Sequence, residues 1–345
     1  MVHASAPGRA GIIGNPSDIY GGTVIACAIG ERAEVFVREA EGIIFDICGH
    51  VTHIRSDEDL EFDDSLPYID VARSVWRYLI GDDRRHLGAV TIDPAGGFHL
   101  RAETSIPMRA GCAGSTAMMA CIVAGILAFF KNPIQRYAIA EMARHIERTS
   151  LGIDCGFQDQ YMVVFGGLNC IDFRGKEWGW DDDAAPYAIV EPLTEALAPR
   201  LPLPMVLANL GRRQGTSGTY HHTPRQRWEA GEEAMVEGMK RIAELARIGK
   251  RAMLVGDWQT VADMMNENYE ISLRLFGISE LNDALIKTAL GHGALAAKLS
   301  GAGGGGTIIA LHEDPAYLAE KLLKQDIKRT IALDPHQPGL EIEVY

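Results

Sequence analysis

The longest apolar run of the chain lies within residues 106–130, IPMRAGCAGSTAMMACIVAGILAFF, and predicts a buried helix. From residue 117 to residue 130 no side chain is polar, so a helix here is apolar on nearly all sides and belongs in a core. Small residues precede this run, and the helix is expected to begin at Ser115 or Thr116. A membrane span is the competing interpretation, but the apolar part is too short to cross a bilayer comfortably.

Shorter patterns predict the remaining elements. Apolar or alternating runs indicate strands at 23–29, 33–39, 42–48, 205–209, 307–311 and 340–345, and a strand pair at 87–92 and 97–102 joined by the turn at 93–96. Helical spacing indicates helices at 69–80, 134–148, 232–248, 258–276 and 281–293, and a short helix followed by a strand at 161–172. The segment 178–204 is rich in Asp and Pro, and we place a domain boundary there, dividing the chain into 1–198 and 199–345. This order suits an α+β protein with two mixed layers.

Composition narrows the function classes. The chain has 345 residues and a net charge of −13, which argues against a nucleic-acid binder but leaves room for a local basic pocket that takes an anionic small molecule. Its six cysteines form no CxxC pair and sit mostly among apolar residues, which indicates buried free thiols in a reducing compartment. The N-terminus shows no secretory pattern. We therefore expect a cytoplasmic protein that binds neither nucleic acid nor membrane.

The small residues at 110–116, ahead of the apolar helix, suit a phosphate-binding loop. Small side chains let backbone amides approach an anion closely. A helix that starts there also points its free N–H groups and its positive dipole end into the loop. The alternative is a core helix with an incidental small-residue entry, because a single Gly/Ser loop is weak evidence.

Two further glycine segments strengthen the phosphate interpretation. They are APGRAGIIGNPSDIYGG at 6–22 and KLSGAGGGG at 298–306. In order and relative position, the three segments resemble the three motifs of the GHMP kinase superfamily, and the resemblance covers nearly the whole chain. It implies ATP-dependent phosphoryl transfer with Mg²⁺. It also implies a GHMP kinase fold, with an N-terminal domain like ribosomal protein S5 domain 2 and a ferredoxin-like C-terminal domain.

The resemblance implies a set of nucleotide and metal contacts. The metal would be held by the hydroxyl of Ser115 or Thr116 and by Glu147, although an N-cap role for Ser115 and a solvated helix charge for Glu147 are the alternatives. The loop departs from the family's common Gly-Leu-Gly-Ser-Ser, since Cys112 replaces Leu and AGST at 113–116 replaces the rest. Thr can still ligate magnesium. The implied nucleotide-binding residues are Pro107, Gly111, Cys112, Ala113, Gly114, Ser115, Thr116, Gly301, Gly303 and Gly304.

Two residues are implied in catalysis. The segment GFQDQY at 156–161 resembles the family's Gly-x-x-Asp-x, which makes Asp159 the base or the electrostatic support for the acceptor hydroxyl. Asp154 is the rival candidate. Arg9, in SAPGR at 5–9, would stabilise charge on the transferred phosphoryl group or on the acceptor oxygen.

The substrate side of the resemblance points to one branch of the superfamily. GNPSD at 14–18, QDQYMVVFGGLNCIDF at 158–173 and SGTYHHTPRQRW at 217–228 resemble the corresponding stretches of glucuronokinases. The resemblance implies phosphorylation of the anomeric hydroxyl of D-glucuronate to the 1-phosphate, with sugar contacts from Asn15, Asp18, Tyr20, Gly21, His221 and Arg225. His221, Arg225 and Arg212 are the candidate partners of the uronate carboxylate.

Departures from that pattern keep other readings open. Gln160 stands for Arg, His222 for Ser and Pro224 for Val, so a related uronate or a neutral sugar is an alternative substrate. Another GHMP kinase, acting on galactose, arabinose, a heptose or mevalonate, and a non-catalytic sugar- or ATP-binding regulator are also alternatives. The oligomeric state is left open, with a homodimer as one option.

Overall fold

Two long strands near the N-terminus form the centre of the larger sheet in this computed structural model. The structure describes residues 1–62, 68–83, 85–88, 90–93, 95–107, 110–132, 135–176, 186–211, 224–301, 306–325 and 327–345. The strands are β1 (Val2–Ile13), β2 (Thr23–Glu39), β3 (Ile43–Ile47), β4 (His50–Ile54), β5 (Phe98–Thr104), β6 (Leu168–Asp172), β7 (Ile189–Pro192), β8 (Met205–Asn209), β9 (Ala296–Leu299), β10 (Thr307–Leu311), β11 (Arg329–Ala332) and β12 (Glu341–Val344).

The helices pack on the sheets, and two of them begin at predicted site residues. The helices are α1 (Ile69–Ile80), α2 (Gly114–Phe129), α3 (Arg136–Thr149), α4 (Gln158–Phe165), α5 (Glu233–Val255), α6 (Trp258–Phe276), α7 (Glu280–Gly291) and α8 (Pro315–Leu323), with residues 224–229 also helical. Of these, α2 follows the glycine loop, and α4 carries Asp159 in its first turn. Single 3₁₀ turns lie at Ser17–Tyr20, Asp57–Leu60 and Ala198–Arg200. None of the helices among the described residues is both long and apolar enough to cross a bilayer.

The larger sheet has the order β12-β1-β2-β5-β3-β4. In addition, β6 pairs with the N-terminal end of β2, and β7 pairs with β6. β1 and β2 are antiparallel, and their register shifts between Pro7 and Arg9 and again between Gly11 and Ile13. Such irregularities bend a strand and re-aim its side chains. They place the first glycine segment inside a strand that is deformed where it approaches the other two glycine segments.

The central helix α2 lies buried on this sheet, as its composition predicts. Its residues from 116 to 127 are buried, and a Cβ added at Gly125 would lie 3.2 Å from Val37 Cγ2 and 3.3 Å from Val35 Cγ1. The missing side chain of Gly125 therefore lets the helix approach β2. The helix begins at Gly114, one residue before the predicted start, and Ala113 rather than Ser115 is its N-cap residue.

The smaller sheet has the order β11-β8-β10-β9 and is antiparallel throughout. A small apolar cluster on it includes Val206, Ile308 and Leu318, while α5 and α6 contribute Ile242 and Met265 to the larger core. The mixed α+β architecture agrees with the predicted fold class. The division at residue 198 stays a prediction, and β12, from the C-terminal end, pairs with β1 in the first sheet.

One predicted strand pair is wrong. β5 pairs antiparallel with β2 and parallel with β3, whereas the described residues between 87 and 93 form no strand. Both edges of β5 are occupied by those two strands, so the apolar segment at 87–92 has no edge to join. Periodicity also failed to predict β1, β4, β7, β9, β11 and α8.

Candidate active site

An arginine–carboxylate pair joins the first glycine segment to α4. Arg9 is 4% exposed, and its Nε and Nη2 both donate to Asp159 Oδ1, at 2.8 and 2.6 Å. The pair forms because the irregular register of β1 turns Arg9 toward the first turn of α4, where Asp159 follows Gln158. The Asp159 side chain keeps 33% of its surface exposed, so a substrate can reach it.

The same arginine holds the predicted phosphate loop. Its backbone N–H donates to the carbonyl of Cys112 at 3.0 Å, and its Nη1 donates to the carbonyl of Gly111. A Cβ added at Gly8 would lie 2.7 Å from the Cys112 carbonyl oxygen, which explains the small residue before Arg9. Burial raises the pKa of the Cys112 thiol to about 11, so Cys112 contributes its backbone and not a thiolate.

The third glycine segment packs on the other side of this loop. A Cβ added at Gly301 would lie 2.8 Å from the Gly111 carbonyl oxygen, and Thr307 Oγ1 donates to the Ala110 carbonyl. Ser300 accepts from the Gly11 N–H through both its carbonyl and its Oγ, at 3.2 and 3.1 Å. The structure therefore brings the three segments together. Gly303 and Gly304 lie outside the described residues.

The entry to α2 has the geometry of an anion site. Gly111 and Ala113 adopt left-handed conformations, with φ of 72° and 62°, and the first turn of the helix contains Ser115 and Thr116. The first N–H groups of a helix have no intrahelical acceptor and carry its positive dipole end. Ser115 lies inside the first turn rather than at the N-cap, which leaves its hydroxyl available to a ligand, and Pro107 lies half-buried ahead of the loop.

A buried carboxylate lies beside this turn. Glu147, on α3, is 6% exposed, and its Oε2 accepts from Gln160 Nε2 at 2.7 Å and from Thr116 Oγ1 at 3.4 Å. Burial, together with the nearby Asp159 carboxylate, raises the pKa of Glu147 to about 7. A solvated helix charge is thereby ruled out for this residue.

These residues fit a magnesium ion. Mg²⁺ prefers oxygen ligands and usually takes only one or two from the protein, with phosphate and water completing its shell. A divalent cation would also offset the two neighbouring carboxylates of Glu147 and Asp159. Among the described residues no group of three or more His, Cys, Asp or Glu side chains is arranged to hold a metal, so the phosphates of a nucleotide would have to supply the remaining ligands.

One predicted sugar contact, Asp18, lies at the N-terminus of α4. Asp18 is buried, and its Oδ2 accepts from the backbone N–H groups of Phe157 and Gln158 at 2.9 and 3.0 Å. A Cβ added at Gly156 would lie 2.0 Å from the same oxygen. Asp18 thus caps the helix that carries Asp159, a structural role that sequence reasoning missed.

Three further predicted contacts, Tyr20, Gly21 and Arg225, lie among the described residues. The ring of Tyr20 lies 4.6 Å from that of Trp228, centroid to centroid, and Gly21 has a φ of 71° at the end of the 3₁₀ turn. Arg225 donates to Asp154 at 3.1 Å and to Glu229 at 2.8 Å, so its charge is largely compensated within the protein. His221 and Arg212 lie outside the described residues.

Sequence reasoning missed two residues that hold the substrate loop from the C-terminal half. Asn268, on α6, is fully buried; its Oδ1 accepts from the Gly14 N–H at 2.9 Å and its Nδ2 donates to the Asn15 carbonyl at 3.2 Å. Lys298, on β9, donates from Nζ to Asn15 Oδ1 at 2.6 Å. Lys298 is the first residue of the third glycine segment, so the sequence could have marked it as a site residue. Asn268 is a single polar residue in an amphipathic helix, and no sequence pattern marks it.

Fold and site together are those of a phosphotransferase: a deformed strand and two glycine segments converge on the mouth of a buried helix, beside oxygen ligands and an arginine–carboxylate pair. Comparison with known families agrees. The model of the GHMP kinases N-terminal domain matches residues 74–167, and that of the GHMP kinases C-terminal domain matches residues 242–325. These matches cover just over half of the chain, and the protein therefore belongs to the GHMP kinases.

Individual relatives extend the likeness over the whole length. The chain is 27% identical over 338 residues to glucuronokinase 1 of Arabidopsis thaliana, covering 93% of this chain and 87% of that protein. It is 27% identical over 318 residues to the D-glycero-alpha-D-manno-heptose 7-phosphate kinase of Campylobacter jejuni, covering 88% and 87%. The crystal structure of a D-glycero-D-manno-heptose 1-phosphate kinase from Bacteroides thetaiotaomicron superposes with a TM-score of 0.72 at 23% identity, covering 100% of both chains. The predicted superfamily, fold and enzyme class are confirmed.

Proposed function

We propose that this enzyme transfers the γ-phosphoryl group of ATP to the anomeric hydroxyl of a sugar acid, D-glucuronate, to give D-glucuronate 1-phosphate. The observation that carries the proposal is the Arg9–Asp159 pair, in which Arg9 is buried and also donates to the Gly111 carbonyl at the mouth of α2. The sugar acid is supported by the likeness to a glucuronokinase over 93% of the chain. A cytoplasmic location and a homodimer are kept as predictions.

The proposed chemistry assigns one role to each group. Asp159 accepts the hydrogen bond of the anomeric hydroxyl, and either takes its proton or stabilises it as the oxygen attacks the γ-phosphorus. The new O–P bond forms as the bond to the β–γ bridging oxygen breaks, and ADP leaves. Arg9 orients the Asp159 carboxylate through its two hydrogen bonds and stabilises charge on the transferred group. Thr116 and Glu147 would hold Mg²⁺, which when bound neutralises phosphate charge.

A heptose or heptose phosphate is the second candidate substrate. The Campylobacter jejuni relative matches at the same 27% identity as the glucuronokinase. Gln160, which stands where glucuronokinases carry Arg, donates to Glu147 and leaves this carboxylate without an arginine partner at that position. The site therefore differs from the glucuronokinase pattern next to the proposed metal ligand.

The test is release of ADP, measured by a coupled assay over D-glucuronate, D-galacturonate, galactose, arabinose, mannoheptose and heptose 7-phosphate. We expect glucuronate to give the highest kcat/KM. Asp159→Asn should lower kcat by about 100-fold or more, because general-base catalysis contributes roughly 10²–10⁴-fold. Asp263→Asn, which alters an exposed carboxylate on α6 that contacts Gln259, is the matched control.

The rival assignment is decided in the same assay. Asp154→Asn should change the rate far less than Asp159→Asn, since Asp154 pairs with Arg225 and not with Arg9. Full turnover by Asp159→Asn would refute its role. A heptose or heptose phosphate that outperforms every uronate would replace the proposed substrate.

A further inference from the structure

A buried lysine beside the substrate loop has no counter-charge among the described residues. Lys298 is 2% exposed, and its Nζ donates to Asn15 Oδ1 at 2.6 Å and to the Leu299 carbonyl at 2.8 Å. Both acceptors are neutral, and no described carboxylate forms an ion pair with Nζ. Buried ammonium groups are normally paired with an anion, because desolvation of an isolated charge is costly. The position therefore suits an anion that arrives with a ligand.

Lys298 also fixes the orientation of the Asn15 side-chain amide, because its Nζ binds the oxygen of that amide. Since the ammonium can only donate, it holds Oδ1, and the Nδ2 group is turned toward other partners. One of its N–H groups approaches the Leu299 carbonyl at 3.4 Å, and the second is left to donate elsewhere. Asn15, predicted as a substrate contact, is thereby fixed as a hydrogen-bond donor.

A second buried amide converges on the same place. Gln158 is 3% exposed, and its Nε2 has no hydrogen-bond partner among the described residues. A Cβ added at Gly11 would lie 2.9 Å from this nitrogen and 3.2 Å from Asn15 Oδ1, so the two amides meet over Gly11. A buried donor left unpaired costs free energy, which an acceptor on a ligand would recover.

The electrostatics favour a negatively charged acceptor. Arg9, two residues before Gly11 on β1, adds its positive field, and burial together with Arg9 lowers the pKa of Lys298 to about 7. Arg9 itself is paired with Asp159 of α4, and the buried Asp18 carboxylate accepts from the backbone N–H groups of Phe157 and Gln158, so neither carboxylate forms an ion pair with Lys298. A carboxylate of the ligand would supply the counter-charge that Lys298 lacks and the acceptor that Gln158 Nε2 lacks.

We propose that Lys298, Asn15 and Gln158 form the subsite that receives the carboxylate of the sugar acid, with Lys298 supplying the charge and orienting the Asn15 amide. The identity of the ligand rests on the proposed function; the donor character of the subsite rests on the contacts above. This assignment moves the carboxylate away from Arg225, whose charge is already engaged by Asp154 and Glu229.

Binding measured by calorimetry tests the subsite without turnover. D-glucuronate and D-glucose are the probes, because they differ by a carboxylate in place of a hydroxymethyl group. Lys298→Met and Gln158→Leu should each lower the affinity for glucuronate by about tenfold or more, because hydrogen bonds to a charged group are stronger than those between neutral groups. The affinity for glucose should change by less than about threefold, because no ionised acceptor is involved. The KM for ATP should stay unchanged.

Three variants make the test specific. Lys287→Met removes an exposed lysine of α7 and should leave both affinities at the wild-type value. Lys298→Arg keeps the charge and should retain the preference for the acid, which separates charge from packing. Arg225→Met should retain the preference as well. A thermal unfolding midpoint for each variant shows that it is folded.

Several results would overturn the subsite. They are unchanged glucuronate affinity in Lys298→Met and Gln158→Leu, an equal loss for glucose, or loss of the acid preference in Arg225→Met alone. A raised KM for ATP with intact glucuronate binding would assign Lys298 to a phosphate instead. If wild-type protein binds glucuronate but releases no ADP, the proposed function fails and the subsite stands; if it binds no sugar acid, the subsite is refuted.

Discussion

Three charged side chains at the candidate site are almost completely buried, and stability alone does not explain their burial. Arg9, Glu147 and Lys298 are 4%, 6% and 2% exposed. Only Arg9 has an ion-pair partner among the described residues, namely Asp159. A protein selected only for stability would replace the other two by apolar residues, because burying an unpaired charge costs free energy. Clustering of such groups is typical of functional sites.

The cost of burying Lys298 can be measured through pH. Its pKa falls from 10.5 to about 7 on folding, so between these values the unfolded chain binds more protons than the folded protein. The free energy of unfolding therefore rises with pH across this window, by at most about 1.4 kcal/mol per pH unit from this group. Lys298→Met should remove that rise, so its stability relative to wild type is greatest at pH 7 or below and falls toward pH 10.

Urea unfolding at several pH values checks this expectation. Lys287→Met, at an exposed position, should follow the wild-type curve throughout. A difference between Lys298→Met and wild type that does not vary from pH 6 to pH 10 would contradict the depressed pKa.

The sequence predicted part of the site at this scale. Arg9, Glu147 and Asp159 came from the resemblance of short motifs to a superfamily, and the structure brings them together. Lys298 was visible in the third glycine segment, but its burial depends on β9 lying against the Asn15 loop, more than 280 positions away in sequence. Asn268 had no local signal, because a polar residue in a helix is ordinarily solvated.

Among the secondary-structure elements, α2 is the one that composition alone described best. Eleven of its buried residues, from Ala117 to Leu127, follow from an apolar run with no polar interruption. Its close approach to β2 depends on Gly125. In a solvated helix a glycine is a weakness of about 1 kcal/mol relative to alanine, but here it provides contact with the sheet.

Gly125→Val should therefore destabilise the protein. The new side chain would meet Val35 and Val37, whose methyl groups lie 3.3 and 3.2 Å from a Cβ at this position. Overpacking of this kind costs about 1–3 kcal/mol of the free energy of unfolding. Gly291→Val, at the end of α7, has no atom within 4 Å of its added Cβ and should change stability by less than about 0.5 kcal/mol.

Chemical denaturation of the two variants makes the comparison. Equal stability of Gly125→Val and wild type would mean that α2 can move away from β2 without loss, contrary to the packing described.

The strand predicted at 87–92 is wrong for a reason that lies outside its own sequence. Its local pattern suits a strand, but both edges of β5 are already paired, with β2 and β3.

At the scale of the whole molecule, the two halves are joined through the site and through the last strand. Asn268 and Ser300 bond the backbone of the first glycine segment, and Arg32 donates to the carbonyls of Pro338 and Gly339 next to β12. β12 pairs with β1 from Val2↔Val344 to Ser5↔Glu341. The C-terminal half therefore completes the sheet of the N-terminal half.

A fragment of residues 1–198 should be far less stable than the intact protein. It lacks β12, which leaves the edge of β1 unpaired, and it lacks α5 and α6, which pack on the strands; exposed edges promote aggregation. Size-exclusion chromatography and urea unfolding measure this, with residues 1–340 as the control that removes only β12. If the 1–198 fragment unfolds cooperatively at the wild-type midpoint, it is an independent domain.

By itself the sequence determined the buried central helix, the α+β class, the three glycine segments and, through their resemblance, the superfamily, because each of these depends on residues adjacent in the chain. Only the tertiary structure decided that Asp18 caps α4, that β12 returns to β1 and that Lys298 faces Asn15 without a carboxylate. These facts depend on which distant segments meet, and on how much water their contact excludes. Neither can be predicted from local patterns. For this reason the buried charge that we propose to bind the substrate, Lys298, was recognised only in the folded chain.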